Sequence, residues 1–503
     1  IKGYGMGEAG EAQNITHQQK KMGTISLRSF RDRFHLPVPD NEIDDLPYLI
    51  FEEGSPELAY MKEKRNTLGG LLHKNQRRNT EALQIPALSA FDTLLKASGE
   101  GRESSTTMVF VRILNILVKD KIIRKRIVPI VADESRTFGM EGMFRQLGIW
   151  SSKGQLYTPE DADKLMYYKE DKDGQILQEG INEAGAMSSW IAAATAYSTH
   201  GVQMIPFFIF YSMFGFQRIG DLAWAAGDMR CRGFLMGGTA GRTTLNGEGL
   251  QHEDGHSHVI SSTIPNCISY DPTFSYELVV IIQDGMRRMY QEQEDVYYYI
   301  TVMNENYSHP EMPKGSEEGI LKGMYLFCEG SEEGEKNPNL RIQLLGSGTI
   351  LREVIAAADI LKEEYGIISD IWSVTSFNEL RREALDATRW NMLHPAEKPR
   401  KSYVESCLEK REGPVVAATD YMKIFADQIR EFVPGKYRVL GTDGFGRSDT
   451  REKLRQFFEV DRYYVTVAAL KSLAEDGKIS SEKVVEAINK YNIDPDKPNP
   501  IKV

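Results

Sequence analysis

Short, uninterrupted apolar runs recur along most of this chain, each closing on glycine, acid or hydroxyl and followed by a helix-like stretch. They are RIVPIVAD (126–133), MIPFFIFY (204–211), GFLMGG (233–238), VYYYITV (296–302), RIQLLGSG (341–348), IISDIWSV (367–374), PVVAAT (414–419) and YRVLGTDG (437–444). A strand with one face in water alternates apolar and polar residues; a strand covered on both faces does not need to. Runs of this kind, separated by helical segments, therefore predict parallel sheets layered between helices. The intervening segments agree. Ser104 and Ser105 can cap a helix whose apolar face includes Met108, Val111, Leu114, Ile116 and Leu117. Residues 182–197 and 214–228 read as further helices.

The pattern divides the chain into three. Residues 1–103 are polar and broken by prolines, as in HLPVPDNEIDDLP (35–47), and read as a long loop, some helix and a linker. Two consecutive α/β domains follow, over 104–335 and 336–503. The opening IKGYGMGEAGEAQNITHQQKKM (1–22) has little apolar periodicity, and the expectation is a fragment with sequence missing upstream.

Composition narrows the function classes. With 41% hydrophobic and 26% charged residues the chain is an ordinary globular one, neither disordered nor fibrous. A net charge of −11 argues against a broad polyanion-binding face, so no nucleic acid is expected, a local basic patch apart. Cys231, Cys267, Cys328 and Cys407 form no CxxC pair and read as reduced thiols of a cytoplasmic protein. The most apolar long stretch, 190–216, is interrupted by His200, Gly201 and Gln203, which makes it a buried helix and strand, not a membrane span.

Ligands in parallel α/β sheets bind beyond the carboxyl ends of the strands, and polar residues there are the candidates. Asp133 and Glu134 follow the first strand directly; adjacent carboxylates there either shift one another's pKa or cap the next helix. Glu183 in EGINEAGAM opens an alanine-rich helix. It is either a carboxylate stabilised by the helix dipole or a buried acid able to share a proton with a ring nitrogen. Tyr211, Phe214 and Phe216 read as core or as a stacking platform. The glycine-rich segment GGTAGRTTLNGEGLQHEDGHSH (237–258) carries His252, His256 and His258 in an HxxxHxH spacing. No cysteine or regular helix supports a closed zinc site, and an active-site wall is the better reading.

These same segments carry a family resemblance. VADESRTFGMEGMFRQLGI, KEDKDGQILQEGINEAGA, FFIFYSMFGFQRIGDLAWAAGD and GGTAGRTTLNGEGLQHEDGHSH resemble the pyrimidine-binding domain of the homodimeric-type first components of pyruvate dehydrogenase complexes, within the transketolase superfamily. NENY (304–307), SVTSFNELRREA (373–384), RWNMLHP (389–395) and GTDGFGRSDTRE (441–452) resemble their C-terminal domain, and the opening 22 residues their mobile active-site loop. The resemblance implies thiamine-diphosphate-dependent oxidative decarboxylation of pyruvate, with transfer of the acetyl group to the lipoyl group of a dihydrolipoamide acetyltransferase. Glu183 matches the glutamate that hydrogen-bonds the cofactor's aminopyrimidine ring and stabilises the tautomer that removes the thiazolium proton. Tyr211 and Phe214 match the aromatic segment beside that ring. His17 matches the mobile-loop histidine, implied to receive the lipoyl group or to shuttle a proton, and His252 an active-site histidine. Asp133 and Glu134 would line the same cavity; Lys2 and Glu11 belong to the loop.

One element of the family is not found. The GDG motif and the asparagine roughly 30 residues on, which hold the diphosphate and Mg²⁺, have no match. Asp284-Gly285 lies in an amphipathic helix and Asp443-Gly444 follows Thr442. The diphosphate and metal ligands are expected outside this chain, and since the family's site lies between subunits, a homodimer is expected. The alternatives are a non-catalytic fragment or subunit that keeps the fold and dimer interface, or another 2-oxo acid dehydrogenase or transketolase-type enzyme.

Overall fold

The computed structural model describes residues 3–70, 81–132, 135–160, 168–331 and 340–503. The chain forms two compact units, Ile1–Gln76 and Arg77–Val503.

The smaller unit is built on the helices Thr24–Arg33 and Pro56–Thr67, preceded by single 3₁₀ turns at Gly7–Ala9 and Asn14–His17. Arg31 fixes the first helix to the following segment, donating to the Val38 carbonyl at 3.0 Å and pairing with Asp40. Ser55 caps the second helix, its hydroxyl accepting from the Leu58 amide at 3.3 Å, with Pro56 in the first turn where no amide is needed.

Among the described residues the larger unit contains thirteen strands: β1 (Ile127–Val131), β2 (Ile149–Trp150), β3 (Glu170–Asp171), β4 (Leu177–Gln178), β5 (Ile205–Tyr211), β6 (Phe234–Gly238), β7 (Cys267–Tyr270), β8 (Tyr297–Thr301), β9 (Met324–Cys328), β10 (Arg341–Gly346), β11 (Ile368–Val374), β12 (Val415–Ala418) and β13 (Tyr437–Leu440). A six-stranded sheet runs β4-β1-β5-β6-β8-β7 with every pairing parallel. A five-stranded sheet runs β13-β12-β10-β11-β9, parallel except for β9 at its edge. β2 and β3 form a small separate pair. Every apolar run singled out in the sequence is a strand, as the parallel α/β reading requires. The differences lie at the edges: β4 is two residues long, β9 is antiparallel, and YRVLGTDG leaves the sheet after Leu440.

The interior explains why the strands need no alternation. β1 is buried over all five residues, and β5 over six of seven. Rings from neighbouring strands pack face to face, with Phe207 and Phe234 stacked at 4.6 Å, and Trp190 from the covering helix donates its indole N–H to the Phe234 carbonyl at 3.1 Å. Burying each such ring stabilises the fold by about 1.5–3 kcal/mol.

Buried polar contacts tie the two sheets together. Asp420, fully buried after β12, accepts from the Thr243 amide at 2.9 Å, the Thr243 hydroxyl at 2.7 Å and the Thr244 hydroxyl at 2.7 Å. Arg242, also buried, donates to the Thr442 carbonyl at 2.9 Å and to the Gly444 carbonyl. The segment after β6 is thereby pinned to the second sheet.

Candidate functional site

At the carboxyl ends of β4, β1 and β5 lies a pocket of about 180 Å³, lined by Ala132, Phe138, Ile181, Glu183, Phe210, Tyr211, Phe214, Arg218 and His252. Each strand delivers its own part: Ala132 follows β1, Ile181 and Glu183 follow β4, and Tyr211 ends β5.

Glu183 is the first residue of the helix Glu183–Ala194. Asn182 caps that helix, its side-chain oxygen accepting from the Gly185 amide at 3.0 Å. A Cβ on Gly185 would lie 2.7 Å from the Asn182 amide nitrogen, so a larger third residue would displace the capping side chain. The glutamate is 8% exposed, and its Oε1 accepts from Nη1 of Arg218 at 2.5 Å. A buried carboxylate requires such a partner, since desolvating it alone would cost several kcal/mol.

The second wall comes from the helix Ser212–Asp228. Phe214 and Arg218 are four residues apart and share one face of it. The Arg218 guanidinium sits 4.2 Å from the Phe214 ring centre. His252 closes the pocket opposite, its ring 5.0 Å from Phe214 and 5.1 Å from Tyr211. Its Nδ1 lies 3.3 Å from the Gly249 carbonyl and 3.8 Å from a Glu248 carboxylate oxygen. Phe138 backs Tyr211 at 5.3 Å. The pocket thus joins one paired carboxylate to aromatic walls and an imidazole, which suits a flat heteroaromatic ring with a polar edge.

Of the residues singled out in the sequence, Glu183, Tyr211, Phe214 and His252 come together here. Asp133, Glu134 and Lys2 lie outside the described residues. His17 ends an exposed turn of the smaller unit, and Glu11 in the same unit pairs with Arg33 at 2.8 Å. Phe216 is core: it packs edge-on against Tyr299 at 4.8 Å. Arg218 is not among the candidates the sequence offers, although its spacing four residues after Phe214 places it on the same helix face.

The glycine-rich segment divides its labour. Its histidines face different partners: His252 the pocket, His256 the Gln217 amide at 2.9 Å, and His258 the hydroxyl of Thr301 at 3.0 Å. His258 is stacked on Phe425 at 4.8 Å, and complete burial pushes its pKa down to about 3, so it is a neutral core residue. Among the described residues no group of three or more histidines, cysteines and acids could hold a metal ion. Glu253 accepts from the Arg447 amide at 2.6 Å, and burial pushes its pKa up to about 8. Much of what the sequence presents as an active-site wall is therefore the clasp between the two sheets.

Among the described residues no helix is long and apolar enough to cross a membrane. Residues 83–310 match the family model of the pyruvate dehydrogenase E1 component middle domain, and residues 323–461 that of the transketolase-like C-terminal domain. The pyruvate dehydrogenase E1 component of Cupriavidus necator is 68% identical over 503 residues, covering 100% of this chain and 56% of the relative. Those of Pseudomonas aeruginosa and Escherichia coli K12 are 63% and 60% identical over 502 residues, covering 100% and 99% of this chain and again 56% of each relative. The chain thus spans little more than half the length of these relatives. Among solved structures, transketolase from Campylobacter jejuni covers 93% of this chain, and 61% of its own, with a TM-score of 0.59 at 17% identity. Transketolase from Leishmania mexicana covers 91% of this chain, and 56% of its own, with a TM-score of 0.56 at 15% identity; likenesses this distant establish the fold alone.

Proposed function

The chain belongs to the pyruvate dehydrogenase E1 component family, and from that premise we propose that it supplies the pyrimidine side of a thiamine-diphosphate site for oxidative decarboxylation of pyruvate. The observation that carries the reading is the convergence of Glu183, Tyr211, Phe214 and His252 on one pocket at the carboxyl ends of a parallel sheet.

The residues present fit an aminopyrimidine ring. Tyr211 and Phe214 would flank it, and the Glu183 carboxylate, anchored by Arg218, would meet its polar edge. When bound, thiamine diphosphate supplies the electron sink that decarboxylation of a 2-oxo acid needs. The chain's own part is to hold that ring, to set its proton through Glu183, and to keep water from the reacting carbon with the aromatic walls. His252 stands at the pocket's edge as a proton donor or acceptor. Glu134, Asp133 and Lys2 are proposed as further site residues, and His17 as the residue serving the acetyl transfer. The diphosphate and Mg²⁺ are proposed to be held outside this chain, across the interface of a homodimer. The acetyl group passes to the lipoyl group of a dihydrolipoamide acetyltransferase in the cytoplasm. For the domains we propose the division 1–103, 104–335 and 336–503, the last drawing its antiparallel edge strand β9 from before its boundary.

Carbon dioxide release by the complete protein tests this. Release from pyruvate should require both thiamine diphosphate and Mg²⁺ and should exceed release from 2-oxoglutarate; a preference for 2-oxoglutarate, or for a ketose phosphate as donor, would remove the pyruvate reading.

A further inference from the structure

Away from this pocket, the Glu305 carboxylate is met by Arg352 at 2.6 Å, by Arg451 at 3.9 Å, and by Arg455 in a charge-assisted hydrogen bond. Glu353 is met by Arg462 at 3.0 Å and Arg455 at 3.4 Å. Four guanidiniums share two carboxylates. They line a cavity of about 520 Å³ with Tyr463 and Tyr464, beside the start of the 14-residue helix Arg462–Glu475.

The compensation is uneven. Their carboxylates hold Arg455 and Arg462 above the ordinary range. Arg451 is held below it by burial and by the charges of Arg455 and Arg352, which outweigh Glu305. Its one hydrogen bond to a neutral group runs from Nε to the Thr244 carbonyl at 2.5 Å, and its terminal nitrogens have no hydrogen-bond partner among the described residues. Arg455 is 5% exposed, and its Nε also lacks a partner. The cavity's other acids do little to offset this. Asp461 spends one oxygen capping the helix, accepting from the Tyr463 and Tyr464 amides at 3.0 and 2.9 Å, and burial raises its pKa. Glu452 lies in the first turn of the short helix Arg451–Phe457 and is offset by Lys453, which also lines the cavity.

We infer that this cavity binds a phosphorylated small molecule, its phosphate on Arg451 and Arg352 and its organic part along the tyrosines. Guanidinium forks match phosphate oxygens in geometry as well as charge. The helix start adds partial positive charge on the same side. The volume leaves room for more than an inorganic ion.

Calorimetric titration of the complete, thiamine-diphosphate-saturated protein tests the inference, with adenosine 5′-monophosphate, inorganic phosphate and adenosine as probes. The phosphomonoester should bind, inorganic phosphate should bind more weakly and compete with it, and adenosine should not bind. Arg451→Gln should weaken the phosphomonoester about tenfold or more, as expected for the loss of one charge-assisted contact. Arg451→Lys should recover part of that, and Lys453→Gln, whose side chain reaches Gln456 and neither Thr243 nor Thr244, should leave pyruvate turnover without the probe unchanged. If Arg451→Gln unfolds, Lys453→Gln, at an exposed position, should still weaken binding in the same direction. No binding of either phosphate probe at millimolar concentration, or equal affinity in the folded variants, would overturn the inference.

Discussion

The guanidinium of Arg218 donates to Oε1 of Glu183 at 2.5 Å while lying 4.2 Å from the centre of the Phe214 ring. One side chain therefore anchors the pocket's carboxylate and braces its aromatic wall. Arg218→Ala is expected to leave a carboxylate that is 8% exposed without its charge partner. Breaking a buried pair from one side costs about 3–5 kcal/mol in full burial, and less here because the Arg218 side chain is 47% exposed. Thermal unfolding should show this loss, thiamine-diphosphate affinity should fall, and Arg218→Lys should recover the stability more fully than the affinity, because Lys has no guanidinium to set 4.2 Å from the Phe214 ring centre.

His17 should separate the two halves of the reaction. If it serves acetyl transfer and not decarboxylation, His17→Ala should keep pyruvate oxidation with an artificial electron acceptor within a few-fold. Reductive acetylation of a lipoyl domain should fall by about 10² or more. Equal losses in both assays would assign the residue to closure of the site in general.

Asp271 offers a pH test. It is fully buried; its Oδ1 accepts from the Thr301 hydroxyl at 2.7 Å and its Oδ2 has no hydrogen-bond partner among the described residues. Burial pushes its pKa up to about 7 from the ordinary 3.8. The folded state thus holds a proton that the unfolded chain has already released. This contribution is full below the unfolded value and is lost as pH rises through about 7. Asp271→Asn mimics the protonated form. Its melting temperature relative to the parent should rise between pH 4 and pH 8, as the parent loses this contribution and the variant does not. A constant difference across that range would contradict the assignment.

Asp420→Ala removes one acceptor from the Thr243 amide and the hydroxyls of Thr243 and Thr244. Each buried donor left unsatisfied costs about 1–3 kcal/mol, so denaturant melts should show a loss of several kcal/mol. Asp420→Asn, which keeps an acceptor, should lose less. Because Thr243 and Thr244 lie in the segment that ends at His258, turnover should fall with the alanine variant even where it remains folded.

Gly215 probes the pocket from behind. A Cβ there would meet the Phe210 ring at 2.1 Å. Gly215→Ala must therefore displace a ring that lines the pocket, at about 1–3 kcal/mol. Cofactor affinity should drop along with the melting temperature.

What the sequence made legible follows from which interactions are local. β1, β5, β6 and β8 are each buried on both faces, so composition alone marks them. The two-residue β4 and the edge strand β9 depend on partners far along the chain and leave no such trace. Glu183, Tyr211, Phe214 and His252 could be named because they match long family motifs; their meeting in one pocket is tertiary. The HxxxHxH spacing could not reveal that His258 turns inward against Phe425 while His252 turns to the pocket. Arg242 and Asp420, which clasp the two sheets, lie 178 positions apart, beyond the reach of any local pattern.

The central claim is that Glu183 governs the cofactor's proton from this pocket. The most direct measurement is hydrogen–deuterium exchange at the thiazolium carbon of thiamine diphosphate, bound to the complete protein and to Glu183→Gln. The account predicts that the variant still binds the cofactor but exchanges at least about 10² slower, with pyruvate decarboxylation reduced alongside. Exchange at the parent rate in a cofactor-saturated variant would contradict it.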